Sequence, residues 1–214
     1  MKTYSLLYAG QLRFIECIPE SLALFSGANA VHASFHTNIT DSPKLNAGVS
    51  HSIYDLPLEW AIETVKNYTN YKSFRIVEDF NIFNESLCHG WPLWQLYTAL
   101  KSFDDCIRDN SDFLILISSD VFLSPNSNIS ELINNLKITK SPYAVVQKLN
   151  KNEINNTIVI LNKAAVSKLQ RLGIDTLLDY QKRYISNIGF KTEFAWYTIF
   201  RLLNIKLVKL TNIY

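Results

Sequence analysis

The chain has 214 residues, of which 48% are hydrophobic, 13% aromatic and 19% charged. That composition supplies ample core material and excludes a disordered chain. The formal net charge is +2, with Lys and Arg scattered in ones and twos, so no clustered basic stripe marks the chain as a nucleic-acid binder, although DNA as a substrate stays compatible with it. One domain over residues 1–214 is the default for this length.

Cys17, Cys88 and Cys106 follow no CxxC spacing. Met1-Lys-Thr-Tyr-Ser5 runs straight into a strand pattern without a secretory leader, and no apolar run approaches the length of a membrane span. A cytoplasmic protein with reduced thiols is expected.

In chain order, Tyr4 to Ala9 reads as a short apolar strand, with Gly10-Gln11-Leu12-Arg13 at its carboxyl end. Glycine there lets the backbone turn closely, so that the following residues can face a phosphate or a base. A helix over Cys17 to Phe25, with Pro19-Glu20 in its first turn, leads to a second strand, Ala30 to Phe35. This β-α-β unit of roughly 36 residues has the size of a parallel crossover and points to an α/β fold.

Alternation along the second strand places His32, Ser34 and His36 on one face and Val31, Ala33 and Phe35 on the other. Two His on one face could hold a metal, but no third ligand stands nearby, and a His hydrogen-bonded within the crevice is the favoured reading. Residues 37–56 are polar and aperiodic, a loop of the length usually kept for function or movement.

A helix over Pro57 to Tyr68 and a strand over Phe74 to Val77 follow. Leu93, Leu96, Tyr97, Leu100, Phe103, Cys106 and Ile107 then fall on one face of a single long helix. Phe113 to Ile117 are five consecutive apolar residues rich in strand formers, so they predict a strand buried on both faces at the centre of the sheet. It ends in Ser118-Ser119-Asp120, at the carboxyl edge where ligands gather in open α/β sheets. Asp120 there either meets a divalent cation beside nucleotide phosphates or caps the next turn.

Beyond it, Asn128 to Lys137 predicts a helix, and Tyr143 to Gln147 with Thr157 to Leu161 a hairpin that makes the sheet mixed. Helices over 163–172 and 176–184, a last helix from Glu193 to Leu203 capped by Thr192, and a terminal strand from Lys206 complete the chain.

These elements resemble the GT-A glycosyltransferases, in particular their small phage, viral and bacterial members. Ala9-Gly10-Gln11-Leu12-Arg13 is similar to the Ser-Gly-Gln-x-Arg that follows the family's first strand, and Phe35-His36-Thr37 to its Phe-x-His-Thr. The long helix, Asp112 and a strand ending in Ser118-Ser119-Asp120 match the family's acidic triplet. Thr192-Glu193-Phe194, with the helix and Ile205-Lys206-Leu207 after it, looks like its Pro-Glu-x-x-Leu segment.

The resemblance implies a single GT-A-like domain with a mixed, mainly parallel sheet flanked by helices. It implies a nucleotide-sugar donor, UDP-linked, near Gly10, Gln11, Arg13, His36 and Ser118. Asp120 would be the sugar-facing or metal-facing carboxylate, with Mn²⁺ or Mg²⁺ as the cation, and Glu193 an acidic group on the acceptor side. A Glu beside Thr192 is also what a helix amino end prefers. The family usually carries a second acidic residue or an Arg where Ser118 stands. One carboxylate plus a diphosphate is a weak cage for a cation, and Arg13 could neutralise the leaving phosphate instead.

The acceptor stays open between a hydroxylated base in phage DNA and a surface glycan. Tyr54, Trp60, Trp91 and Trp94 could line a groove for a flipped base. From another class, Ser118 favours a GT-A-like module that binds sugar without turnover. A nucleotidyltransferase is disfavoured because no Gly-rich loop with a Lys follows strand one.

Overall fold

The computed structural model describes residues 1–11, 15–36, 58–77, 94–118, 121, 123, 127–148, 154–180, 183 and 192–209. Its strands are β1 (Tyr4–Gln11), β2 (Ala30–His36), β3 (Tyr71–Ile76), β4 (Phe113–Ile117), β5 (Tyr143–Lys148), β6 (Ile154–Asn162) and β7 (Lys206–Lys209). They form one sheet in the order β3-β2-β1-β4-β6-β5-β7. β1 pairs in parallel with both β2 and β4, and β2 with β3. β6 runs antiparallel between β4 and β5, as the hairpin reading requires, and β7 returns parallel to β5. The sheet is mixed and mainly parallel.

Strand alternation sorts the core into two layers. Tyr4, Leu6 and Tyr8 of β1, with Phe113, Ile115 and Ile117 of β4, pack on one face against Ile18 and Leu22 of α1 (Ile18–Leu24) and Ala61 and Val65 of α2 (Leu58–Lys66). Ile129 and Ile133 of α5 (Ile129–Asn135) join that layer. Leu7, Ala9, Leu114 and Leu116 point the other way, toward Leu96 and Tyr97 of α3 (Trp94–Leu100) and Phe103 of α4 (Phe103–Arg108). Val166 and Leu169 of α6 (Lys163–Gln170) and Trp196 and Phe200 of α8 (Thr192–Leu202) complete it. All five residues of β4 are buried, because helices cover both of its faces.

The long helix read from periodicity is two helices. The chain turns at Lys101 and Ser102, where the Ser102 amide donates to the Ala99 carbonyl (3.0 Å), and Ser102 becomes the residue before α4. Ser-Phe-Asp-Asp is a helix-opening pattern, with Asp104 and Asp105 in the first turn of α4 complementing its dipole. The apolar stripe continues across the turn, so spacing alone does not reveal it.

Side chains pin the amino edge of the sheet. Asp112 accepts from the Thr3 amide (2.9 Å) and hydroxyl (3.1 Å), which ties the start of β1 to that of β4. Asn162 is buried and bonded on every side: its Oδ1 accepts from the Tyr143 and Ala165 amides (both 3.0 Å), and its Nδ2 donates to the carbonyls of Ser141 (2.9 Å) and Thr139 (3.2 Å). One side chain thus caps α6 and closes the turn before β5. α6 ends at Gln170, and Gly173, with a φ of +68°, makes the left-handed turn before the next helix. α7 (Ile174–Tyr180) follows, starting two residues before the helix expected over 176–184, whose residues 181, 182 and 184 lie outside the described residues.

Candidate active site

The strand order sets a switch point. From β1 the chain moves outward through β2 to β3, then returns to lay β4 on the other side of β1. The carboxyl ends of β1 and β4 are therefore neighbours at a topological switch point, the place where ligands bind in open α/β sheets. Gly10 and Gln11 stand at that end of β1, and Ser118 at that end of β4, just beyond the Tyr8 and Ile117 pair. Gln11 is paired with His36 of β2, so the backbone brings Gly10, Gln11, His36 and Ser118 to one edge.

Ser118 is held by both backbone groups. Its amide donates to the Thr157 carbonyl (3.1 Å), and its carbonyl accepts from the Val121 amide (3.4 Å). Its Oγ lies 2.7 Å from Nε2 of Gln95 in α3. Gln95 is buried beneath the crevice, with the same Nε2 3.5 Å from the Ala9 carbonyl. Gly10 sits directly over this side chain, at φ +121°, and a Cβ there would come within 3.3 Å of Gln95 Cγ. Gly10 is thus required by its backbone conformation and by the close passage of Gln95.

Sequence reasoning missed Gln95, although a signal was present. Trp94-Gln-Leu-Tyr-Thr-Ala-Leu100 carries no charge in seven residues, the mark of a helix buried all round, and Gln95, Thr98 and Ser102 form a polar buried stripe beside the apolar one. That stripe faces the sheet: Ser34 Oγ donates to the Thr98 carbonyl (2.7 Å).

α8 packs on β6 and β7 and turns through residues 203–205 into the start of β7. Its amino end therefore lies toward the carboxyl edge of β7, the edge that holds Gly10 and Ser118, and Thr192 and Glu193 are its first two residues. Arg13, Asp120 and the polar segment 37–56 lie outside the described residues, as do Tyr54 and Trp91. Trp60 packs against the α1 and α2 core layer.

His32 corrects one expectation. It is 1% exposed, with Nε2 2.6 Å from Asp109 Oδ2 and Nδ1 2.8 Å from Ser73 Oγ. His32 pairs with Leu7, three residues short of Gly10, and its partner Asp109 follows α4 and precedes β4. It therefore braces the body of the sheet, and the crevice reading does not hold for it. Ser5 adds a bond to the same carboxylate (3.1 Å).

Apart from the crevice, a cavity of about 360 Å³ lies between α1 and the segment after β4, lined by Cys17, Ser21, Leu24, Val121 and Leu123 among others. Cys106 is a free thiol, and burial, with Asp109 and Asp105 nearby, pushes it well above its ordinary range.

No protein-family model matches the chain, and no curated protein matches it in sequence. Solved structures do match. The glycosyltransferase GlyE of Streptococcus pneumoniae TIGR4 superposes with a TM-score of 0.55 at 9% identity, covering 99% of this chain and 46% of that one. Its apo form gives 0.55 at 10% identity over 99% and 45%. The fold is that of the GT-A glycosyltransferases. The chain spans less than half the length of these GlyE structures. A glycosyltransferase involved in glycosylation of the major capsid of PBCV-1 aligns at a TM-score of 0.48, with 10% identity over 97% of this chain and 82% of that one.

A GT-A fold raises the question of a cation. Among the described residues no group of three or more His, Cys, Asp or Glu could hold a metal ion. Ser118 offers a hydroxyl already engaged by an amide N–H. Asp120, the carboxylate expected to face a cation, lies outside the described residues. No described helix is long and apolar enough to cross a membrane.

Proposed function

We propose that this protein is a glycosyltransferase that moves a sugar from a UDP-linked donor to an acceptor hydroxyl, in the cytoplasm. The observation that carries the reading is the GT-A switch-point crevice with Gly10, Gln11, His36 and Ser118 at one edge of the sheet. The reaction needs a leaving diphosphate neutralised, a sugar held in line and a base for the acceptor proton. Gly10, Gln11, His36 and Ser118 stand on the donor side, and Arg13 is the cation nearest in sequence to the phosphates. Asp120 meets the donor sugar. Glu193, at the amino end of α8, takes the proton of the attacking hydroxyl. A divalent cation, Mn²⁺ or Mg²⁺, would have Asp120 as its carboxylate and would supply charge neutralisation of the diphosphate.

The acceptor proposed is a hydroxylated base in phage DNA, with a surface glycan as the alternative. A second reading, a GT-A-like module that binds sugar without turnover, is favoured by Ser118 alone. Sugar-labelled UDP-hexoses incubated with hydroxymethylated DNA, unmodified DNA and a glycan acceptor separate these. Label on hydroxymethylated DNA only is the predicted result, with Asp120→Asn and Glu193→Gln each lowering transfer by about 100-fold or more. Label on the glycan alone replaces the acceptor. Donor binding with neither transfer nor donor hydrolysis overturns the enzyme and leaves the module.

A further inference from the structure

We propose that Gln95 is a positioning residue that fixes Ser118 as a hydrogen-bond donor to an anionic ligand oxygen. This corner of the crevice then takes phosphate oxygen through a neutral hydroxyl where other GT-A sites place a charged residue. The inference deepens the proposed function and rests on it.

The direction of the proton follows from chemistry that leaves little choice. The Ala9 carbonyl can only accept, so the Gln95 atom facing it is the amide nitrogen. That NH₂ group also faces Ser118 Oγ at 2.7 Å, so the hydroxyl oxygen accepts there. A hydroxyl has one proton, and with its oxygen accepting from beneath, the proton points away from Gln95. Ser118 is partly exposed, and its backbone amide and carbonyl are already bonded to Thr157 and Val121. Among the described residues that proton meets no acceptor. What remains is a single O–H donor, standing at the switch point and aimed out of the packed layer.

A cation and an anion see this corner differently. A metal ion needs a lone pair of Ser118 and would meet the positive end of the Gln95 amide behind it. An anionic oxygen meets a proton whose donor is polarised by a second hydrogen bond at its back. Packing holds the arrangement in place, since Gln95 is 7% exposed and Gly10 passes over its Cγ.

The test measures the dissociation constant by calorimetry on the whole chain, in EDTA and in Mn²⁺. The ligand is whichever of UDP, GDP, CMP and dTDP binds tightest. Wild-type binding is predicted to survive EDTA within about threefold. Ser118→Ala is predicted to bind at least about tenfold more weakly in EDTA, the usual loss for a hydrogen bond to a charged group. Gln95→Glu keeps the shape of the side chain but places a carboxylate where it accepts the Ser118 proton, turning the hydroxyl's lone pairs outward. That variant is predicted to lose binding in EDTA as Ser118→Ala does and to regain it in part with Mn²⁺. A packing role for Gln95 alone would not create metal dependence. Melting of each ligand-free variant shows that it is folded, and Gln95→Met serves where Gln95→Glu is not, with weakened binding in EDTA again predicted. Unchanged binding of Ser118→Ala and of the folded Gln95 variant in EDTA, or wild-type binding abolished by EDTA, overturns the inference while leaving nucleotide binding standing. A wild-type chain that binds none of the four overturns the proposed function itself, and this inference with it.

Discussion

Gly10 carries two constraints that meet at one atom. Its φ of +121° is a conformation that side-chain-bearing residues rarely adopt, and the space a Cβ would occupy is already bounded by Gln95 Cγ at 3.3 Å. Gly10→Ala should therefore cost about 1–3 kcal/mol in backbone strain, a fall of roughly 2–12 °C in melting temperature for a chain of this size. It should also push the Gln95 amide from beneath Ser118, so nucleotide affinity falls along with stability. Calorimetric melting and a nucleotide titration of the same sample check both. An unchanged melting temperature would show that the turn relaxes freely. The equally buried His32 lies lower in the sheet and is spoken for by Asp109 and Ser73, so it brings no chemistry to the crevice.

Among the elements, the α6 amino end shows how one side chain can hold several segments. Asn162 accepts from two amides and donates to two carbonyls while buried. Asn162→Ala removes a helix cap and leaves the Tyr143 amide without its partner, so a loss of about 2–4 kcal/mol in urea unfolding is predicted. Asn162→Asp should recover only part of it, because a carboxylate cannot donate to the Ser141 and Thr139 carbonyls. A loss below about 1 kcal/mol in the alanine variant would mean that water replaces these bonds. Elements of this kind were legible where the local signal was complete. β4 was readable from five apolar residues, the β5 and β6 hairpin from its short connection, and the two faces of β2 from alternation. The break between α3 and α4 was not, because Lys101 and Ser102 interrupt the backbone without interrupting the apolar stripe.

At the scale of the molecule, the order β3-β2-β1-β4 does what no single motif could. A sequence reading finds Gly10 and Ser118 more than a hundred residues apart, and places both at strand ends by pattern. Only the return of β4 to the far side of β1 makes those two ends neighbours, and only then does Gln95 join them from α3. Long-range pairing of this kind leaves no local trace, which is why the residue linking the two strands escaped notice while the strands themselves did not. The amino edge, by contrast, is tied by Asp112 on Thr3 and by Asn162. The proposed function places the nucleotide at the carboxyl edge.

Thermal unfolding of the whole chain with UDP, GDP, CMP and dTDP, each with and without Mn²⁺, tests it most directly. A ligand at a hundred times its dissociation constant adds about 2.7 kcal/mol, which raises the midpoint by roughly 5 to 11 °C in a chain of this size. Such a rise is predicted with UDP and not with the other three, present without Mn²⁺. No rise with any of the four nucleotides, with or without Mn²⁺, would contradict it.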